Sequence, residues 1–242
     1  EVIRKILHIG SGIGGLALPF IFETKGSVII LGVVFLILLI SIRIVKHNVT
    51  GFKKVLETKN RKTFGDIYFI ISIMGLWLVS SDDKVMYALP LIILMFSDAF
   101  AALIGEFYSK YKFNTGFGVK SIEGSVTFFL TTYFICINFF LIFSDIESIN
   151  IVLVSLLLSI LTMILEIISW NGLDNLFVPF FVYLFLRLNL YLTAEELMYK
   201  FWVIIILFII IILNRKKTTL TRVAQTASLF FLYIVMIIGG IK

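Results

Sequence analysis

The feature that most constrains this chain is a succession of nine apolar runs, near 6–22, 26–45, 64–80, 85–108, 122–143, 149–168, 176–192, 197–213 and 222–241. Runs of roughly twenty apolar residues match the ~30 Å hydrocarbon core of a bilayer. Within a bilayer every backbone polar group must be satisfied internally, which leaves helices or closed barrels. These runs are continuous rather than alternating, so helices are indicated. The expected fold is all-α: a polytopic bundle of about nine transmembrane helices. Composition agrees, with 60% apolar and only 15% charged residues. A soluble domain runs nearer half and a quarter.

Two classes of site drop out at once. A single cysteine, Cys136, inside an apolar run provides no disulfide framework or Cys-based metal site, and two histidines make no His-rich cluster. The formal charge of +6 raises nucleic acid as a partner, but the basic residues sit at the ends of runs, where membrane topology accounts for them. No nucleic acid is expected. The first run follows Arg4 and Lys5 but ends in Phe22-Glu23-Thr24, without the small-residue pattern of a cleavage site.

Placing the N-terminus in the cytoplasm and alternating puts most of the 21 basic residues on the cytoplasmic side, in the 46–63, 110–120 and 215–222 connections above all. Asp82, Asp83, Asp145, Glu147, Glu195 and Glu196 fall on the other side. The same alternation brings Asp98, Lys120, Glu123, Glu166 and Asp174 to the cytoplasmic ends of their spans, with Arg4, Lys5, His8, Glu57 and Asp66. Candidate chemistry therefore gathers on one face, with membrane lipids around the spans.

The stretch 97–125, SDAFAALIGEFYSKYKFNTGFGVKSIEGS, carries the densest signal. Asp98 lies inside an apolar run, where an ionised carboxylate costs about 3 kcal/mol or more unless it is paired or faces water or metal. Ala99, Ala101, Ala102 and Gly105 permit close helix approach. The chain leaves through a basic loop with Gly116, Gly118, Lys120 and Ser121 and re-enters by Glu123 and Gly124. Carboxylates flanking a flexible cationic loop suit a metal–phosphate complex. The GFGVKS segment is no Walker A loop, because Val119 separates glycine from lysine and no strand is expected upstream. Gly116 and Gly118 still permit amides to converge on an anion, with Lys120 as point charge. Each feature has a plainer reading: a salt-bridged Asp98, and a solvated loop.

Three further segments keep the same double reading. In EIISWNGLDNLFVP (166–179) Asp174-Asn175 opens a new run, with Asp174 either as helix N-cap or at a helix start suited to phosphate. Arg4, Lys5 and His8 share a short motif at the first span, with interfacial anchoring as the alternative. Gly65-Asp66 starts another helix, Asp66 complementing its dipole.

Five pieces together, RKILHIGSG (4–12), FGDIYF (64–69), SDAFAALIGEFYSKYKF (97–113), GVKSIEGS (118–125) and ISWNGLDNLFVP (168–179), resemble the CTP-dependent lipid-alcohol kinases, the phytol, dolichol and polyprenol kinases. These are distant kin of the phosphatidate cytidylyltransferases. The chain lacks the Lys-Arg-x-x-Lys-Asp and Asp-Arg-x-Asp segments of that second group, which favours a kinase. The resemblance implies transfer of the γ-phosphoryl group of CTP to the terminal hydroxyl of an isoprenoid alcohol such as phytol, geranylgeraniol or a polyprenol. It implies Mg²⁺ held by Asp98, Glu123 and Asp174. Phosphate contacts would come from Arg4, Lys5, His8, Gly116, Gly118, Lys120, Ser121, Gly124 and Asn175. Asp98, Lys120, Glu123 and Asp174 would be catalytic. The kinase-like domain covers 1–220, and 221–242 reads as an extra C-terminal transmembrane helix, its Leu-Thr-Arg start opening a further region. Competing readings are a CTP-dependent diacylglycerol kinase, a cytidylyltransferase, an ion-coupled transporter and a structural membrane protein.

Overall fold

The computed structural model describes residues 2–22, 24–44, 64–80, 83–115, 118–214 and 219–238. Glu57, Gly116 and Asp82 lie outside the described residues. Nine helices occur among the described residues: α1 (Val2–Ile21), α2 (Lys25–Ile44), α3 (Gly65–Val79), α4 (Lys84–Phe107), α5 (Ile122–Phe143), α6 (Ser148–Ile168), α7 (Asp174–Asn189), α8 (Ala194–Asn214) and α9 (Arg222–Ile238). Each coincides with one of the nine apolar runs. Five of them, α2, α4, α5, α6 and α8, are long and apolar enough to cross a bilayer. The chain is a helical membrane protein.

The centre of the bundle is α4, α5, α6 and α7, packed on one another. Of the most apolar stretch of α6, 61% is buried, against 6% for α2, so α6 is a core helix and α2 a peripheral one. Without water to drive helices together in a bilayer, close packing of small residues and polar stitches take over. Both are present. A Cβ at Gly124 of α5 would stand 2.9 Å from the Ala101 carbonyl oxygen and 3.4 Å from the Gly105 Cα of α4, so these backbones touch where their glycines meet. Deeper in, Thr132 Oγ1 donates to Ser97 Oγ at 2.9 Å. The described part of the C-terminal run, α9, packs against α6 and α8 and buries Leu229, Phe230 and Tyr233.

On one flank α1 leans on α4, α2 on α3, and α3 on α7. The glycines of α1 serve this packing unequally. Gly12 leaves no room for a Cβ beside Met95, nor Gly15 beside Ile73, whereas a Cβ at Gly14 meets open space. Tyr87 of α4 donates its hydroxyl to the Gly15 carbonyl at 2.7 Å, fixing α1 against the core.

One local feature departs from a purely helical expectation. Between α4 and α5 the chain forms an antiparallel two-stranded ribbon, β1 (Lys112–Asn114) and β2 (Val119–Ser121), in register Lys112↔Ser121, Phe113↔Lys120 and Asn114↔Val119. The ladder pairs backbone groups that a bare loop would leave unmatched. β2 runs straight into α5, whose N-cap Ser121 accepts the Gly124 amide at 3.1 Å.

Candidate active site

Helix ends meet at one end of the bundle and place the charged residues side by side. Lys5 reaches across from α1 to α4, its Nζ 2.5 Å from Asp98 Oδ2, with both side chains largely shielded. His8, one turn further along α1, stands 3.6 Å from the same oxygen, too far for a hydrogen bond, and packs its ring on Phe69 at 4.8 Å. Arg4 is within electrostatic reach of Asp98. The isolated carboxylate noticed in the sequence is therefore met by cations from a neighbouring helix.

A second ion pair faces the first. Lys120 of β2 donates to Glu166 Oε1 at 2.6 Å and to the Glu166 carbonyl, which closes the C-terminus of α6. Glu166 Oε2 is buried and has no hydrogen-bond partner among the described residues. Asp174 lies within reach of Asp98, Lys120 and Lys5. It does not cap α7: the N-cap is Leu173, which makes no side-chain bond, and Asp174 begins the helix proper. The capping role allowed for Asp174 is thus absent, and its carboxylate is left in the cluster.

The turn that delivers Asp174 is unusually constrained. Asn171 and Gly172 both have left-handed backbones, with φ of 53° and 86°. Gly172 sits so close to Gly65 that a Cβ there would be 2.6 Å from the Gly65 Cα. The Phe64 amide donates to the Asn171 carbonyl at 3.2 Å. Asn175 donates to the Gly65 carbonyl at 2.9 Å, while the Ser72 hydroxyl donates to the Asn175 carbonyl at 2.6 Å. Asn175 is a strut between α7 and α3. Asp66, expected only to complement a dipole, pairs with Arg43 at 2.5 Å and ties α2 to α3.

All these groups open on one cavity of about 1740 Å³. Arg4, Lys5, His8, Asp98, Gly118, Lys120, Ser121, Gly124, Asp174 and Asn175 line it. Glu123 does not. Its carboxylate accepts the amides of Lys110 at 2.8 Å and Tyr111 at 3.1 Å, fastening the turn before the ribbon. Backbone donors thus occupy the oxygens expected to bind metal. Ser121 and Gly124 line the wall, but their visible work is the cap and the α4–α5 crossing. Glu166, gathered with the candidate chemistry in the sequence but given no role there, enters the site as the partner of Lys120. Its place at the end of a long apolar run is the signal that grouped it with the others; the pairing with Lys120 had no signal in the sequence.

No group of three or more His, Cys, Asp or Glu that could cage a metal exists among the described residues. Mg²⁺ seldom needs one, since it keeps waters and binds through one or two carboxylates plus substrate phosphates. Asp98 and Asp174, in mutual electrostatic reach, fit that donor set. Glu123 does not.

Away from the charges the same cavity continues between α1 and α2 over a floor of α3, lined by apolar side chains such as Leu18, Phe22, Val28, Phe35 and Met74. Fold and site together define a class: a helical membrane protein with a charged head joined to an apolar groove. Within that class the chain is similar to the phytol kinase of Synechocystis sp., 26% identical over 182 residues that cover 74% of this chain and 75% of that protein. It is a distant relative of the lipid-alcohol kinases. No protein-family model matches the chain. No solved structure matches it either.

Proposed function

We propose that this protein is a multi-pass membrane kinase that transfers the γ-phosphoryl group of CTP to the terminal hydroxyl of an isoprenoid alcohol. The observation that carries the reading is the convergence of Lys5–Asp98, Lys120–Glu166 and Asp174 at one end of a cavity that continues along apolar side chains of α1, α2 and α3. Such a site suits a substrate with one reacting polar end and a long apolar body. Phosphoryl transfer is chiefly positioning and charge neutralisation, so a few fixed cations and carboxylates suffice. The alcohol oxygen attacks the γ-phosphorus, the bond from that phosphorus to the β–γ bridging oxygen breaks, CDP leaves, and the hydroxyl proton passes to a carboxylate of the cluster. Lys120, Lys5 and Arg4 balance the phosphate charge, and Gly118 and Val119 at the ribbon lie along the wall that the phosphates would face. Asp98 and Asp174 would hold Mg²⁺, which neutralises charge on the transferring group.

The bundle is read as nine crossings with the N-terminus and the charged head on the cytoplasmic side. The bias of basic residues supports this orientation. The alternation of helix ends at the site supports the successive crossings: starts of α1, α3, α5 and α7 meet ends of α2 and α6.

The test is label transfer by detergent-purified protein given Mg²⁺, γ-labelled CTP or ATP, and phytol, geranylgeraniol, a long polyprenol or diacylglycerol. Label moving from CTP to an isoprenoid alcohol is expected. Label on diacylglycerol alone, or a CDP-lipid formed from phosphatidate and α-labelled CTP, would replace this reading with its neighbours.

A further inference from the structure

We infer that the groove between α1 and α2 holds the hydrocarbon tail of a single-chain isoprenoid substrate, and that Gly14 sets how long that tail can be. The inference rests on the kinase reading for the head of the substrate, but its geometry is separate.

The groove follows α1 for most of its length, from Lys5 and His8 through Ser11, Gly14 and Leu18 to Phe22. Opposite, it follows α2 in reverse, from Arg43 to Val28. Beyond His8 it offers a ligand almost nothing polar. Ser11 turns its hydroxyl back onto the His8 carbonyl at 2.9 Å, and the side chains that follow are apolar. An ion or a sugar would find no partner there, whereas a hydrocarbon loses nothing.

Length narrows the occupant. Lys5 to Phe22 is seventeen residues, about 25 Å of helix at ~1.5 Å per residue, or nearly five turns. An extended isoprene unit spans slightly less than one ~5.4 Å helical turn. A chain of about four or five units therefore reaches from the charged head to Phe22 and Val28, where the lining ends. Gly14 stands about 13 Å from Lys5 by the same rise, alongside the third unit.

Gly14 is singular among the glycines of α1. Gly12 and Gly15 abut Met95 and Ile73 and serve packing, and Gly10 has open space but does not line the cavity. Only Gly14 combines open space at Cβ with a place in the groove wall. A Cβ added there meets open space in the groove wall, and replacing a helical glycine does not weaken α1.

The experiment compares wild type, Gly14→Phe and Gly10→Phe on geranylgeraniol and geraniol, with tail contacts mapped in parallel. For the second arm, geranylgeraniol bearing a diazirine at its ω end is photolysed on each protein and the labelled peptides are identified. In Gly14→Phe the geranylgeraniol-to-geraniol turnover ratio is expected to fall by roughly tenfold or more, while Gly10→Phe keeps the wild-type ratio. The photolabel is expected on residues 18–35 of wild type and to be lost there in Gly14→Phe. An unchanged ratio in Gly14→Phe, or label confined to helices other than α1, α2 and the α3 floor, overturns the inference. Should no alcohol be phosphorylated while label still lands on 18–35 and disappears in Gly14→Phe, the kinase reading falls and the groove assignment stands.

Discussion

Asp98 and Glu123 look alike in the sequence, two carboxylates bracketing one loop, and the structure gives them opposite employment. Asp98 sits at the junction of α1 and α4 against Lys5, where an unpaired charge is costly to keep. Glu123 spends its oxygens on the amides of Lys110 and Tyr111. The proposed chemistry separates them by mutation. Asp98→Asn, near in size but without charge, is expected to lower turnover roughly 10²–10³-fold. Glu123→Gln is expected to leave the Mg²⁺ dependence of turnover unchanged and to speed amide hydrogen exchange across 110–121. A Glu123→Gln variant that needs far more Mg²⁺ would return Glu123 to the metal. Lys120→Ala removes the cation that closes α6 and faces Asp174, and should abolish label transfer while the protein still purifies as a folded species; near-normal transfer would sink its assignment.

At the scale of elements, two glycine contacts hold the site in shape. The α4–α5 crossing depends on Gly124 lying against the Ala101 carbonyl, and the turn before α7 depends on Gly172 at φ 86° against Gly65. In both the opposing atoms are backbone and have little freedom to give way. Gly124→Ala and Gly172→Ala should each cost about 1–3 kcal/mol, read as a lowered unfolding temperature in detergent. Gly26→Ala, with open space around it, should match wild type. The helices themselves were legible because apolar runs of membrane length admit few other structures. The ribbon was not, because Lys112–Asn114 and Val119–Ser121 are three residues each, too short to show alternation. The role of Glu166 escaped for a related reason. Its partner Lys120 is forty-six residues earlier on a strand whose direction only the ribbon register sets. Asp98, Lys120 and Asp174 were singled out because charge beside long apolar runs is conspicuous. Glu123 was misplaced because spacing alone does not say toward which side of a helix start a carboxylate turns.

For the whole molecule the proposed orientation is the most exposed statement. Cys136 is buried, so a Cys136→Ser background supports single-cysteine mapping. Cysteines at Ser27 and Asp145 should react with a membrane-impermeant maleimide added to intact cells, and one at Lys110 only after permeabilisation. The reverse pattern would turn the bundle over and put the charged head on the outer face.

The groove has one more property. Leu7, Ile21 and Phe35 border it and are yet at least half exposed, so its flank opens sideways between α1 and α2. A substrate held there would arrive by diffusing in the plane of the membrane. The quantity that saturates such a catalyst is the surface density of alcohol among the lipids, not its amount per volume. Diluting the bilayer with inert lipid should then slow the reaction even when the total amounts of protein and alcohol stay constant.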